Sequence, residues 1–320
     1  MALTLSDAQA LSDSKFAAQV IDEFRHDPLF DMMIFDNNAK AQGGKSLSYV
    51  YNRVTTLPTA AFRTIGSDYV AQEAKTTQYT VNLKPFGGSF EVDRILQSDE
   101  QQVLDLIQFE LSQKIKATRA LFTDTFINGD SENGNAFDGI DSALTASDTE
   151  VTPEASIDLS NSAKITENGN LFMDELDKML SNLDSTPTAI LVNRKLASVI
   201  NGIARRSGYF STNEADAFGA PVTKYAGIPI ISLGDKPGVA PASSAPIISV
   251  SDEGETSLYA VRIGLDGVHA ISPEGNNIVN TYLPNMSEPG AIKKGEVEMI
   301  SAVALKATRA AGVLRKIKVG

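Results

Sequence analysis

Cysteine is absent from this 320-residue chain, so it has no disulfide framework, no thiolate metal site and no thiol redox chemistry. Histidine is almost absent. The only two, His26 and His269, lie far apart and neither stands in a His-x-x-x-His pattern, so each reads as a structural or surface histidine rather than a zinc ligand. No run approaches about eighteen consecutive apolar residues, and Met1 to Gln9 has no basic residue ahead of an apolar stretch. Secretion and membrane insertion are unsupported, and synthesis in the cytoplasm is expected. There is no Gly-x-Ser-x-Gly elbow for a serine nucleophile and no internal repeat. Positive charge is scarce: 28 Lys and Arg face 40 Asp and Glu, for a net charge of -12. That balance repels nucleic acid and argues against a protein that grips phosphate backbones, although DNA can lie nearby unbound.

What remains is a foldable chain, 42% hydrophobic and 21% charged, long enough for roughly two domains of about 150 residues. Its most informative stretch is Ser46 to Arg94, patterned as two long β-strands. Leu47, Tyr49 and Tyr51 alternate with polar neighbours, and Tyr79, Val81 and Leu83 alternate with Gln78, Thr80, Asn82 and Lys84. After Pro85-Phe86-Gly87-Gly88 the apolar phase moves from odd to even numbers at Phe90 and Val92, as a β-bulge would cause. An isolated two-stranded ribbon of this length is marginal in water, so its apolar face must be covered by another element or another subunit.

Around this hairpin the chain divides by pattern. Residues 1–42 read as an arm, with Phe16, Val20, Ile21 and Phe24 at helical spacing up to Pro28, then an apolar patch from Leu29 to Phe35. Ser98-Asp99-Glu100-Gln101 is a capping box. It opens a helix whose stripe runs through Leu104, Ile107, Leu111, Ile115, Thr118, Phe122 and Phe126 to an Asn128-Gly129 stop. Residues 130–184 form an acidic centre, thirteen Asp or Glu against Lys164 and Lys178, whereas the last thirty-three residues carry seven Lys or Arg against three Glu. The two can meet within a subunit or between subunits, or remain solvated faces. From Thr188 the pattern is α/β: strand Ala189 to Val192, helix Leu196 to Ala204 and a strand after Gly227-Ile228-Pro229. Further strands follow at Ile247 to Val250, Leu258 to Ile263 and Val268 to Ile271, and Val297 to Ala304, Ala307 to Leu314 and Lys316 to Val319 close the chain.

Candidate chemistry is thin. Ala39-x-x-x-x-Gly44-Lys45-Ser46 fits a loose phosphate-loop pattern, but Asp36-Asn37-Asn38 precedes it and a β-patterned segment follows, where such a loop needs a buried strand and a helix. Asn128, Asp130, Glu132, Asn135 and Asp138 offer oxygens for calcium without EF-hand spacing; turning the chain after the helix, with Phe137 and Ile140 plugged into a core, is the simpler role. Carboxylate pairs in the acidic centre read as solvated loop rather than acid/base machinery. No catalytic, cofactor-binding or metal-binding residue is assigned, and no enzymatic activity is expected.

In order, an arm, a long hairpin, a long helix, an acidic β-rich segment, an α/β domain and a returning C-terminus resemble the major capsid protein family of tailed phages, the Hong Kong 97 coat fold. Tyr69-Val70-Ala71-Gln72-Glu73-Ala74, Tyr79 to Leu83 and Phe90 to Leu96 are similar to the family's extended loop returning into its spine helix. Phe137-Asp138-Gly139-Ile140 is similar to the turn after that helix, and Gly227-Ile228-Pro229-Ile230 and Val297 to Ile317 to its axial and closing strands.

The resemblance implies an α+β chain with an N-terminal arm at 1–42 and an extended loop at 43–95. A peripheral domain at 96–187 holds a spine helix at 98–128, an axial domain spans 188–275, and return strands to the peripheral domain fill 276–320. It implies a major capsid protein that assembles as pentamers and hexamers into the icosahedral head of a tailed phage, enclosing double-stranded DNA without binding it specifically. The virion is then its location, the host cytoplasm its place of assembly, and the membrane plays no part. Contacts between subunits would fall on the extended loop at Tyr69, Val70, Glu73, Lys75, Tyr79, Val81 and Leu83, with Tyr79, Val81 and Leu83 lacking cover within their own chain. No charged segment of roughly a hundred residues precedes the arm, so a separate scaffolding protein is expected beside a portal and a maturation protease. Lys75, Lys84 and Asn285 are present, but no motif marks a cross-linking pair. An encapsulin-like nanocompartment has the same fold, and a nucleotide- or sugar-binding α/β enzyme would explain residues 188–271 but leave the hairpin without purpose.

Overall fold

A computed structural model describes residues 28–39, 47–56, 58–93, 100–132, 134–206, 223–236, 245–274, 278–285, 287 and 289–320, with the backbone alone at 38, 39 and 100–106. His26, the Phe16 to Phe24 spacing, Lys45 and the capping residue Ser98 lie outside these residues.

One long strand organises a five-stranded sheet. β13 (Ile292–Leu305) alternates buried and exposed side chains over its first half, and is buried from Ser301 onward. That division follows its neighbours. Its first ten residues run antiparallel to β4 (Lys84–Asp93) on one side, while Glu296 to Met299 also pair with β12 (Val279–Tyr282) on the other. Its last residues pair with β11 (Val268–Pro273), which takes β1 (Phe35–Ala39) in parallel on its far edge. Close backbone approach within this sheet depends on glycine. A Cβ on Gly87 would stand 2.0 Å from the Val297 carbonyl oxygen, and one on Gly295 would stand 2.3 Å from the Phe90 ring.

Helix α2 (Glu100–Asn128) has 29 residues, about 44 Å, and packs against β4 and β13 of this sheet. Ile107 and Leu111 sit against Phe90 and Val92, and Thr118, Phe122 and Phe126 are buried further along the same stripe. The expected stop at Asn128-Gly129 is present. The Gly129 amide bonds to Thr125, Gly139 returns an amide to Gly129, and a Cβ on either glycine would fall within 2.5 Å of a carbonyl oxygen. Phe137 and Ile140 are buried beside the helix end, as expected. The N-terminal patch docks on its own chain: α1 (Pro28–Met32) and β1 place Phe30 and Phe35 against Phe122, with ring centroids 5.3–5.8 Å apart.

The second, seven-stranded sheet is built on β10 (Glu255–Val261), flanked by β14 (Ala311–Lys318) and β7 (Ala189–Val192). β9 (Ile228–Ser232) joins β7 in parallel and carries β8 (Lys224–Tyr225), while β5 (Glu150–Val151) and β6 (Ile157–Asp158) line β14. Neighbouring residues of β7 enter different cores. Ala189 and Leu191 face the cluster that holds Phe122 and Phe126, while Ile190 and Val192 face α4 (Ser162–Ser181) and α5 (Arg194–Arg206) through Phe172, Leu176, Leu196 and Ile200. Among the described helices none is long and apolar enough to cross a membrane.

Several expectations are corrected. Residues 162–181, expected within an acidic β-rich segment, form a twenty-residue helix capped by the Asn161 side chain on the Lys164 amide. The expected second strand of the hairpin is two strands, β3 (Lys75–Asn82) and β4, because the chain leaves one partner for another at Leu83. The acidic centre and basic end meet inside the subunit: Arg315 donates to Asp141 at 2.8 Å and pairs with Glu150, and buried Tyr259 donates to the same Asp141 at 2.7 Å.

Candidate assembly surface

The ribbon consists of β2 (Ser48–Thr56) and β3, in register from Ser48↔Asn82 to Val54↔Thr76. Strand alternation puts Tyr49, Tyr51, Arg53, Tyr79 and Val81 on one face, and near the root that face meets the body. Tyr49 and Tyr51 and the cross-strand Val81 pack against the larger core, and Tyr51 stacks on Tyr79 with centroids 5.8 Å apart. The Tyr49 hydroxyl donates to Asp36 at 3.1 Å, the Tyr51 hydroxyl to the Leu305 carbonyl at 3.0 Å, and Arg53 Nε to the Lys306 carbonyl at 3.0 Å. Beneath Tyr49 lies His269, fully buried, with its ring edge-on to the tyrosine and Nε2 4.0 Å from the Asp36 carboxylate. Burial, reinforced by the nearby Lys306 charge, pushes His269 down to about 4.

Beyond Arg53 the ribbon leaves the body. Every described residue from Val54 to Thr80 is exposed. The tip makes contacts within itself: Thr59 donates to the Gln72 side chain through both amide and hydroxyl, and the Arg63 guanidinium lies 5.4 Å from the Tyr69 ring centroid. Arg63 also donates to the Ser67 carbonyl. Thr64 to Ser67 forms a turn closed by the Ser67 amide on the Thr64 carbonyl, with Gly66 at φ +95 supplying the left-handed conformation that a side chain would resist.

Of the residues expected on this surface, Tyr69 at 69% and Val70 at 85% exposure stand free, Glu73 and Lys75 are exposed, and Tyr79 is partly covered by Arg53. Val81 is half-buried on its own core, and Leu83, at 4% exposure, is inside it. The expectation that Leu83 lacks cover in its own chain is therefore corrected: its strand has already reached the body. Phe62 and Ile65, at 108% and 105%, are the most exposed large apolar groups described and were not singled out from sequence. The signal is two large apolar residues, Phe62 and Ile65, just ahead of Gly66-Ser67 in a stretch without strand alternation.

Among the described residues outside the ribbon, the candidate loop side chains serve the fold. Asp138 accepts the Ser131 amide, Asp130 accepts the Glu132 amide, and Asn128 donates to Asp124 and the Ile247 carbonyl, so these loop oxygens serve the turn. Among the described residues no group of three or more His, Asp or Glu is placed to hold a metal ion. The phosphate-loop pattern is followed by strand β2, not by a helix.

No protein-family model matches the chain, and no curated protein matches its sequence. Solved structures do match, end to end. The SrpI encapsulin complex of Synechococcus elongatus PCC 7942 aligns over 99% of this chain and 97% of its own, with a TM-score of 0.64 at 15% identity. The capsid of an empty GTA particle aligns over 98% of both chains, with a TM-score of 0.62 at 12% identity. Mycobacterium phage Bobi aligns over 98% of this chain and 99% of its own, with a TM-score of 0.58 at 11% identity. This chain has the Hong Kong 97-like capsid fold. Within that α+β fold the two sheets and α2 form the body, and the ribbon is the part that projects from it.

Proposed function

We propose that the chain is the repeating subunit of a closed protein shell, and that the shell is the head of a tailed-phage-type particle, with this chain as its major capsid protein. The observation that carries the reading is the ribbon, whose described residues from Val54 to Thr80 are all exposed and which is tipped with Phe62, Ile65, Tyr69 and Val70. Burying an aliphatic or phenyl side chain of that size is worth about 1.5–3 kcal/mol, so four such groups on a lever favour a partner strongly. A second copy offers the same contact in return around a ring or shell, since a head-to-tail interface closes when the rotation closes. On this reading Tyr69, Val70, Glu73, Lys75 and the outer side of Tyr79 touch a neighbour. The subunits form pentamers and hexamers, and scaffolding, portal and protease functions come from other proteins. The charge of -12 suits a container for DNA that is enclosed without being gripped.

The full-length likeness to an encapsulin supports a second reading, a nanocompartment around cargo enzymes. Particles from the native source separate the two: packaged DNA supports the head, and co-purifying protein cargo supports the compartment. Either reading requires shells. Replacing residues 58–74 with a short Gly-Ser turn is expected to leave a soluble subunit with wild-type circular dichroism that forms no closed particles by negative-stain microscopy. Intact shells from that variant would overturn the proposal.

A further inference from the structure

Three residues of β2 tie the ribbon's inner face to the body by side-chain hydrogen bonds, and Arg53 is the outermost. Its guanidinium reaches two carbonyls at the end of β13, Lys306 through Nε and Leu305 through Nη2, and it also meets the Tyr51 hydroxyl at 3.3 Å. The same group lies over the Tyr79 ring, 4.3 Å from its centroid, so one side chain joins both ribbon strands to the body. The Leu305 carbonyl is open to it for a reason. Val268, opposite Leu305 in β11, gives its amide to Arg262 instead, so the ladder does not use the Leu305 oxygen at that pair. Charge-assisted bonds of this kind are about twice as strong as neutral ones and, spread over a planar fork, fix direction as well as distance.

From this geometry we infer that Arg53 is a positioning residue that sets the angle of the ribbon to the body, and through it the curvature of the assembly. The inference rests on the shell reading above and adds to it the group that selects one shell geometry among those the fold permits. Leverage supplies the mechanism. The chain from Val54 to the Gly66 turn extends at most about 40 Å beyond the latch, so a change of about 5° at the root moves the tip by about 3 Å, enough to miss an apolar seat on a neighbour. Tyr49 and Tyr51 lie nearer the body and hold the root in place; without Arg53 they leave Tyr79 and the outer strands free to tilt.

The test compares particle diameters for the wild type, Arg53→Ala, Arg53→Lys and Tyr79→Leu by cryo-electron microscopy, with circular dichroism of unassembled subunits as the folding control. The wild type is expected to give one diameter. Arg53→Ala is expected to spread the distribution, adding tubes and open sheets, while Tyr79→Leu, which removes the ring beneath the guanidinium along with its stack on Tyr51 and keeps an apolar side chain on the outer side, spreads it less. Arg53→Lys, able to reach a carbonyl but not both, is expected to restore part of the uniformity. A single wild-type diameter from a folded Arg53→Ala protein would overturn the inference. If Arg53→Ala fails to fold or assemble, uniform wild-type shells from Tyr79→Leu would overturn it instead. Absence of shells from the wild type itself would remove the underlying reading, a different result from either.

Discussion

His269 shows how a single residue at the ribbon root ties stability to pH. Buried among Tyr49 on β2, Asp36 on β1 and the Lys306 charge, it stays neutral down to about pH 4, against an ordinary value of 6.5 in the unfolded chain. Between those values the unfolded state binds the proton that the folded state refuses. Folding stability is therefore fully present above about pH 6.5 and falls as the solution is acidified toward pH 4, by up to about 1.4 kcal/mol for each pH unit. Urea denaturation of the subunit across this window is expected to show that slope in the wild type and to lose it in His269→Phe, which keeps an edge-on ring beneath Tyr49. Parallel pH profiles for the two proteins would exclude this account.

At the scale of elements, β13 and β4 depend on a missing side chain. The Phe90 ring fills the place where a residue other than glycine at 295 would put its Cβ. Gly295→Ala is expected to destabilise the subunit by about 1–3 kcal/mol through overpacking, and a second change, Phe90→Leu, to recover part of the loss; a thermal midpoint unchanged in Gly295→Ala would show the ring to be free to move. The same elements show what the sequence makes legible. The move of the apolar phase from Val81 and Leu83 to Phe90 and Val92 could be read locally, because face is a period-two property, and so could the helix end at Asn128-Gly129. That Leu83 is covered by its own chain could not, since periodicity says which side chains need cover and not which element provides it. α4 was missed for another reason. Its apolar stripe of Phe172, Leu176 and Met179, spaced by four and three, is short and lies among the many acidic residues of 130–184. Nor does any local signal pair β13 with β4, whose partners lie about two hundred residues away.

At the scale of the whole molecule, body and ribbon differ in how they meet solvent, and a protease reports that difference. In the unassembled subunit, trypsin is expected to cut first after Arg63, in the exposed tip, leaving the body intact; in purified shells the same bond is expected to be protected if the tip is seated on a neighbour. Equal cleavage rates in the two states would mean that assembly does not cover the tip. A mechanical consequence follows from the path of the chain. β3 passes through Leu83 directly into β4, whose ten residues are laced side by side to β13. A tug on the ribbon along its length would load those backbone bonds together, in shear, rather than peel them off singly. Sheets resist sliding far better than unzipping, so a wall made of such subunits can take up internal pressure through the strand that leaves each one.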